Sequence, residues 1–222
     1  MDTAAVTRET ITFLQGLEAN NSRNWFEAHR AEYERHWLGA GLDLIAALSA
    51  PCAELGLLAV PKLNASLRRI HRDVRFSRDK RPYEPRLHVI LSAGLAFNRA
   101  PGVHLVIGPR GIGYGAGTYG LEPAALERFR RLVCEPAGRA GFEAVLARAE
   151  EVGAVLDPPD LARLPKGFEA APWDSYLRRK SVIVRTPQER PIAGAMVGPG
   201  ATDEWMAVVG ALAPLAHWLT RL

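Results

Sequence analysis

The sequence predicts an α+β fold: helices flanking a small, mostly antiparallel sheet, in a single domain spanning residues 1–222. Three observations carry this. Apolar residues in the N-terminal third recur at helical spacing, residues 87–117 switch to strand-like alternation, and the helical spacing returns after Pro123. With 48% hydrophobic and 23% charged residues among 222, the chain is long enough to bury a core without disulfides or metal.

The elements follow in order. Thr10, Phe13, Leu14 and Leu17 form one buried helical stripe. Asn20-Asn21 reads as its C-terminus, because Asn tolerates the left-handed conformation. A second helix starts near Ser22 or Asn24, where Asn24 and Glu27 have capping-box spacing. Trp25, His29, Tyr33 and Trp37 follow as an aromatic stripe. Gly39 and Gly41 weaken this helix, Leu42, Ile45 and Leu48 continue its apolar face, and Pro51 is expected to break or restart it.

In the middle third, Leu87, Val89 and Leu91 alternate with His88, Ile90 and Ser92, the pattern of a strand. Val103–Ile107 and Ile112–Gly117 read as a hairpin around Pro109-Arg110-Gly111. Glycines at 111, 113, 115 and 117 leave one strand face bare, so backbone, a helix or a ligand must approach it closely. Pro123 suits the start of a helix carrying Leu126, Phe129 and Val133. Pro136 ends it, and Phe142, Val145, Leu146 and Ala149 mark the next. Residues 154–172 read as irregular and Ser181–Arg185 as a short strand. The last helix is capped by Thr202, buries Trp205, Val208, Val209, Leu212 and Leu219, and is expected to bend at Pro214.

Several classes are excluded or disfavoured. No stretch approaches the roughly 20 apolar residues of a membrane span, and the N-terminus lacks a signal-peptide pattern, so no membrane partner is expected. Cys52 and Cys134 form no C-x-x-C pair and read as two buried thiols in a reducing cytoplasm. The glycine run fails as a dinucleotide fingerprint, since it sits in a hairpin and opens no helix; tight sheet packing explains it better. No G-x-S-x-G, phosphate-loop or H-E-x-x-H pattern is present. His88 and His104 lie in neighbouring predicted strands and are placed to meet, with Asp73 a third candidate. No metal is favoured and no cofactor is implied.

The charge is concentrated. Between Arg68 and Arg86 stand eight cations and three carboxylates, a surplus of five, while the whole chain carries +4. If Arg69–Phe76 is extended, Arg69, His71, Asp73 and Arg75 share one face. A carboxylate among arginines orients them, and oriented guanidinium forks match phosphate or carboxylate oxygens. The competing reading is a surface ion-pair network around Asp73 and Asp79. A nucleic-acid reading needs aromatics beside the cations; Phe76 and Tyr83 are available, but each is equally suited to a core.

Three stretches then stand out together: Phe13–Glu34, Arg69–Pro85, and the hairpin end Gly115–Pro123, with a weaker fourth at Leu164–Phe168. In order and spacing they resemble the DUF2461 family of bacterial and fungal proteins, most specifically through Arg-Asp-x-Arg-Phe-Ser-x-Asp-Lys-x-Pro-Tyr at Arg72–Tyr83. The resemblance spans nearly the whole chain and so implies one domain. The family is one of unknown function, so no catalytic residue carries over. Its motif positions here are Asn20, Asn21, Trp25, Phe26, Arg69, Arg72, Asp73, Arg75, Phe76, Ser77, Asp79, Lys80, Pro82 and Tyr83. The chain departs from the family pattern at Glu84, where Lys is usual, and at His71, where Tyr or Asn is usual.

Charge and resemblance together lead to an expected anion-binding pocket. Arg69, Arg72, Arg75 and Lys80 would contact oxygens, Asp73 would orient an arginine, and Tyr83, Asn21 and Trp25 would complete or border the site. The partner this suits is a phosphorylated small molecule or a nucleotide, with nucleic acid less favoured. The alternative is a non-enzymatic interaction or structural module, in which the arginines form a salt-bridged scaffold. Neither reading fixes a reaction or an oligomeric state.

Overall fold

A computed structural model describes residues 6–95, 97, 100–192, 196–198 and 201–222. Helix α1 (Arg8–Ala19) buries the expected stripe, Thr10, Phe13, Leu14 and Leu17. It ends where expected, with Asn20 as its C-cap, but Asn20 has φ −130° rather than a left-handed conformation. Helix α2 (Arg23–Ala28) is capped by Ser22, whose side chain accepts the Trp25 N–H at 3.3 Å; the Asn24–Glu27 box does not form. After α3 (Arg30–Glu32), residues Tyr33–Gly39 form a π-helical segment that runs into α4 (Ala40–Glu54). Pro51 lies inside α4 and does not break it. Gly41 packs closely, since a Cβ there would come within 2.9 Å of the Leu67 side chain and make it shift.

The sheet has order β1-β2-β3-β5-β4, antiparallel throughout. Its strands are β1 (Leu87–Ser92), β2 (Gly102–Ile107), β3 (Ile112–Thr118), β4 (Val155–Leu156) and β5 (Val182–Arg185). The fold class is therefore the expected one, although β4 falls within residues read as irregular. The outer edge of β1 is covered. Arg68 N–H donates to His88 O (3.0 Å), Ile90 N–H to Ser66 O (2.7 Å), and Leu58 and Ser92 exchange both bonds (2.7 and 3.0 Å).

Alternation sorts the two faces. Leu87, Val89, Leu91, Val103, Leu105, Ile107, Tyr114, Ala116, Val182 and Val184 are buried on one side, against α4 and the long helix α8 (Ala201–Leu219). Helix α5 (Pro123–Cys134) and α6 (Pro136–Glu151) add Phe129, Val133 and Phe142, both helices opening on a proline; the short α7 (Asp174–Leu177) adds Leu177. Within α8, Pro214 is accommodated in continuous helix, and Thr202 is inside the first turn rather than the cap. Cys52 is buried, which pushes its thiol up to about 11, whereas Cys134 is exposed, contrary to expectation. Among the described residues no helix is long and apolar enough to cross a membrane.

The bare face of β3 is explained by backbone. A Cβ on Gly115 would lie 2.3 Å from Val184 O, and one on Gly117 2.0 Å from Val182 O. The neighbouring strand β5 runs too close beside β3 to admit a side chain at either position, and the same glycines line an open cleft on this face.

Candidate functional site

The basic segment is a tight hairpin. Ile70–Arg72 faces Pro82–Glu84: Arg72 N–H donates to Pro82 O (2.9 Å), Glu84 N–H donates to Ile70 O (2.8 Å), and His71 bridges Tyr83. The loop between them is curled, which corrects the expected extended run from Arg69 to Phe76. Aspartates bend it by capturing backbone two residues ahead, a competition that short acidic side chains regularly win. Asp73 accepts the Arg75 N–H (3.2 Å) and guanidinium (2.7 Å). Asp79 accepts the Arg81 N–H (3.0 Å) and guanidinium (2.8 Å), and also Arg72 (2.8 Å). Lys80 Nζ donates to Val74 O at 3.0 Å. These arginine contacts, Arg75 for Asp73 and Arg81 then Arg72 for Asp79, hold both carboxyls below the usual carboxylate range.

The base of the hairpin is anchored to α2. The Asn21 side chain bonds both backbone groups of Tyr83. The Tyr83 ring is 3% exposed and stacks on Phe26 with centroids 4.1 Å apart. Trp25 stacks on His29 at 3.9 Å. The expected site residues thus divide: Arg72, Asp73, Arg75 and Lys80 meet in the loop, Asn21 and Tyr83 lock its base, Trp25 lies behind on α2, and Arg69 is exposed at its entry. None of the eight lines a cavity formed elsewhere on the molecule.

That cavity is a cleft of about 1750 Å³ over the sheet face opposite the core, lined among others by Arg68, Arg86, His88, His104, Arg185 and Glu189. His88 and His104 do meet. His88 Nε2 and His104 Nδ1 are 2.9 Å apart across β1 and β2. Asp73 does not join them, being bonded to Arg75. Burial in the sheet lowers His88 to about 3, helped by His104 and Arg68, and lowers His104 to about 4, helped by Arg68. Both rings are therefore neutral at pH 7. One inner nitrogen donates and the other accepts, so the outer nitrogens always comprise one N–H and one lone pair.

The cleft cations differ in their commitments. Arg86 is held by Glu84 and Glu189, both at 2.9 Å, and Arg185 by Asp157 at 2.8 Å. Arg68 makes no ion pair with any described residue. Glu189 keeps one oxygen, Oε2, buried without a hydrogen-bond partner. Among the described residues no three His, Cys, Asp or Glu side chains come together as a metal site.

The arginines singled out from the sequence, Arg69, Arg72 and Arg75, do not line this cleft; Arg68, from the same basic segment, does. Arg68 opens the basic segment that the sequence marks, but only the fold lays it beside the strand that carries His88. Arg185 ends a predicted strand. Nothing local in the sequence marks Glu189, which is brought in from 103 residues beyond Arg86.

Fold and cleft together define an α+β protein with one face of its sheet packed and the other carrying a histidine pair beneath an arginine. The chain belongs to the DUF2461 family, conserved hypothetical proteins, whose model matches residues 9–218. No curated protein and no solved structure matches it significantly.

Proposed function

We propose that the protein binds a small anion, a phosphorylated small molecule or a nucleotide, in the cleft over the open sheet face. The observation that carries this reading is Arg68, a cation without an ion-pair partner among the described residues, beside the hydrogen-bonded His88–His104 pair. Arg68 supplies the charge and the fork that two oxygens fit. The neutral imidazole pair supplies an N–H whichever way its shared hydrogen bond runs. Arg86, restrained by Glu84 and Glu189, sets one side of the cleft.

The hairpin residues Arg72, Asp73, Arg75 and Lys80 are in this reading a scaffold that closes on itself. The test is a thermal-shift titration with inorganic phosphate, pyrophosphate and nucleotides on wild type, Arg68→Ala and Arg72→Ala. Binding to the native state raises the midpoint by mass action. The reading expects a shift in wild type and Arg72→Ala that is absent in folded Arg68→Ala. A shift lost in Arg72→Ala and kept in Arg68→Ala moves the site to the hairpin. No shift with any anion removes the anion reading and leaves an interaction module.

A further inference from the structure

The hairpin presents one feature that the ion-pair scaffold does not explain. Phe76, at its tip, is 95% exposed, while Tyr83 at its base, the other aromatic of the same segment, is 3% exposed. A large apolar ring left in water forfeits the stabilisation its burial would give. The tip is not a floppy excursion that happens to expose it. Lys80 Nζ donates to the carbonyls of Val74 and Arg75 (3.0 and 3.4 Å), and Asp73 holds both the backbone and the guanidinium of Arg75. The backbone leading into Phe76 is thereby held, and its ring faces solvent. The Arg75 guanidinium sits 5.8 Å from the ring centroid, and Arg69, Arg78 and Arg81 are exposed along the same hairpin. From Arg69 to Arg81 there are six cations and two carboxylates.

We propose that this tip is a docking element for single-stranded nucleic acid, with Phe76 stacking on an unpaired base and the exposed arginines of the hairpin on the flanking phosphates. The chemistry favours this occupant. One isolated flat ring among cations matches a base with its two phosphates. It offers too little apolar area to fill a protein groove, and one Phe gives little grip on a lipid surface. A duplex hides its base faces, so only the unpaired strand is matched.

The proposal is independent of the cleft, and its test keeps the two apart. Fluorescence anisotropy of a labelled 20-nucleotide oligo(dT) and oligo(rU) would be measured at low salt with wild type, Phe76→Ala, Phe76→Trp and Arg78→Ala. A 20-base-pair duplex and phosphatidylglycerol vesicles serve as competing targets. Single strands are expected to bind in preference to both. Phe76→Ala should weaken binding roughly tenfold, the loss of one stacked base, with an unchanged melting midpoint and an unchanged phosphate shift. Phe76→Trp should restore binding and show quenching of its own fluorescence. Arg78→Ala should reduce the log–log salt slope by about 0.7, one phosphate on a single strand. Absence of single-strand binding at low salt overturns the proposal. So does equal binding by Phe76→Ala, or a preference for duplex or vesicles.

Discussion

Asn21 grips the backbone of Tyr83 from both sides: its amide donates to Tyr83 O at 2.9 Å, and its carbonyl accepts the Tyr83 N–H at 3.1 Å. One side chain thus satisfies both peptide groups of a residue 62 positions away and joins α1–α2 to the hairpin base. Asn21→Ala leaves both groups without a protein partner, and urea denaturation should show a loss of about 1–3 kcal/mol. Asn21→Asp keeps the acceptor but sets a charge against the Tyr83 carbonyl. Its deficit relative to wild type should shrink on acidification, when the protonated carboxyl can donate again.

The histidine pair makes stability depend on pH. Both rings titrate lower in the folded protein, about 3 for His88 and about 4 for His104, than the ordinary 6.5 of an unfolded chain. Between these values the unfolded state binds more protons, so stability rises with pH through this window. It is fully present above pH 6.5 and falls as pH drops towards 4, by on the order of 1 kcal/mol per pH unit for each ring. Denaturation curves at pH 5 and pH 8 should show this difference, and His88→Gln/His104→Gln should largely abolish it. An equal difference in the double variant would assign the effect to other groups.

Two glycines near one end of β3 should respond differently to a methyl group. Gly117 has φ +143°, and its Cβ would lie 2.0 Å from Val182 O, so Gly117→Ala must part β3 from β5. A loss of at least about 3 kcal/mol is expected, or no folded protein at all. Gly120 has φ +57° with nothing within 4 Å of the added carbon. Gly120→Ala should cost only the left-handed conformation, about 1 kcal/mol. Thermal midpoints of the two variants distinguish space from conformation.

The ion pairs of the hairpin hold a local shape. Arg72→Ala leaves Asp79 still bonded to Arg81, and a half-buried pair in a surface loop contributes little to global stability. The melting midpoint should barely move. Amide exchange at residues 73–81 should accelerate, since the loop keeps its bend through these contacts. A large drop in the midpoint would show that the network supports the core as well.

Alternation made β1 legible, and an apolar run followed by a turn made β2 and β3 so, because each strand has one face in the core. The same period put His88 and His104 on one side, and the register completes their meeting. The hairpin was not legible as such. Arg69 to Phe76 alternates like a strand, but Asp73 and Asp79 turn the chain through side-chain bonds that no periodicity records. The π-helical segment at Tyr33–Gly39 was hidden for a related reason. Its aromatic residues keep four-residue spacing, and burial of Tyr33 and Trp37 outweighs the ideal hydrogen-bond register. Most of the cleft was hidden by distance: Glu189 enters only because the whole fold carries it to Arg86.

The strip of chain laid along β1 also bears on self-association. Ser66, Arg68 and Leu58 already occupy hydrogen-bonding groups on that edge, so a second copy cannot add a strand there without first peeling the strip away. At the other end, β4 offers only Val155 and Leu156, a template too short to recruit a partner strand of ordinary length. Among the described residues, sheet-to-sheet polymerisation therefore has no ready starting point, and loss of the Leu58–Arg68 strip would create one.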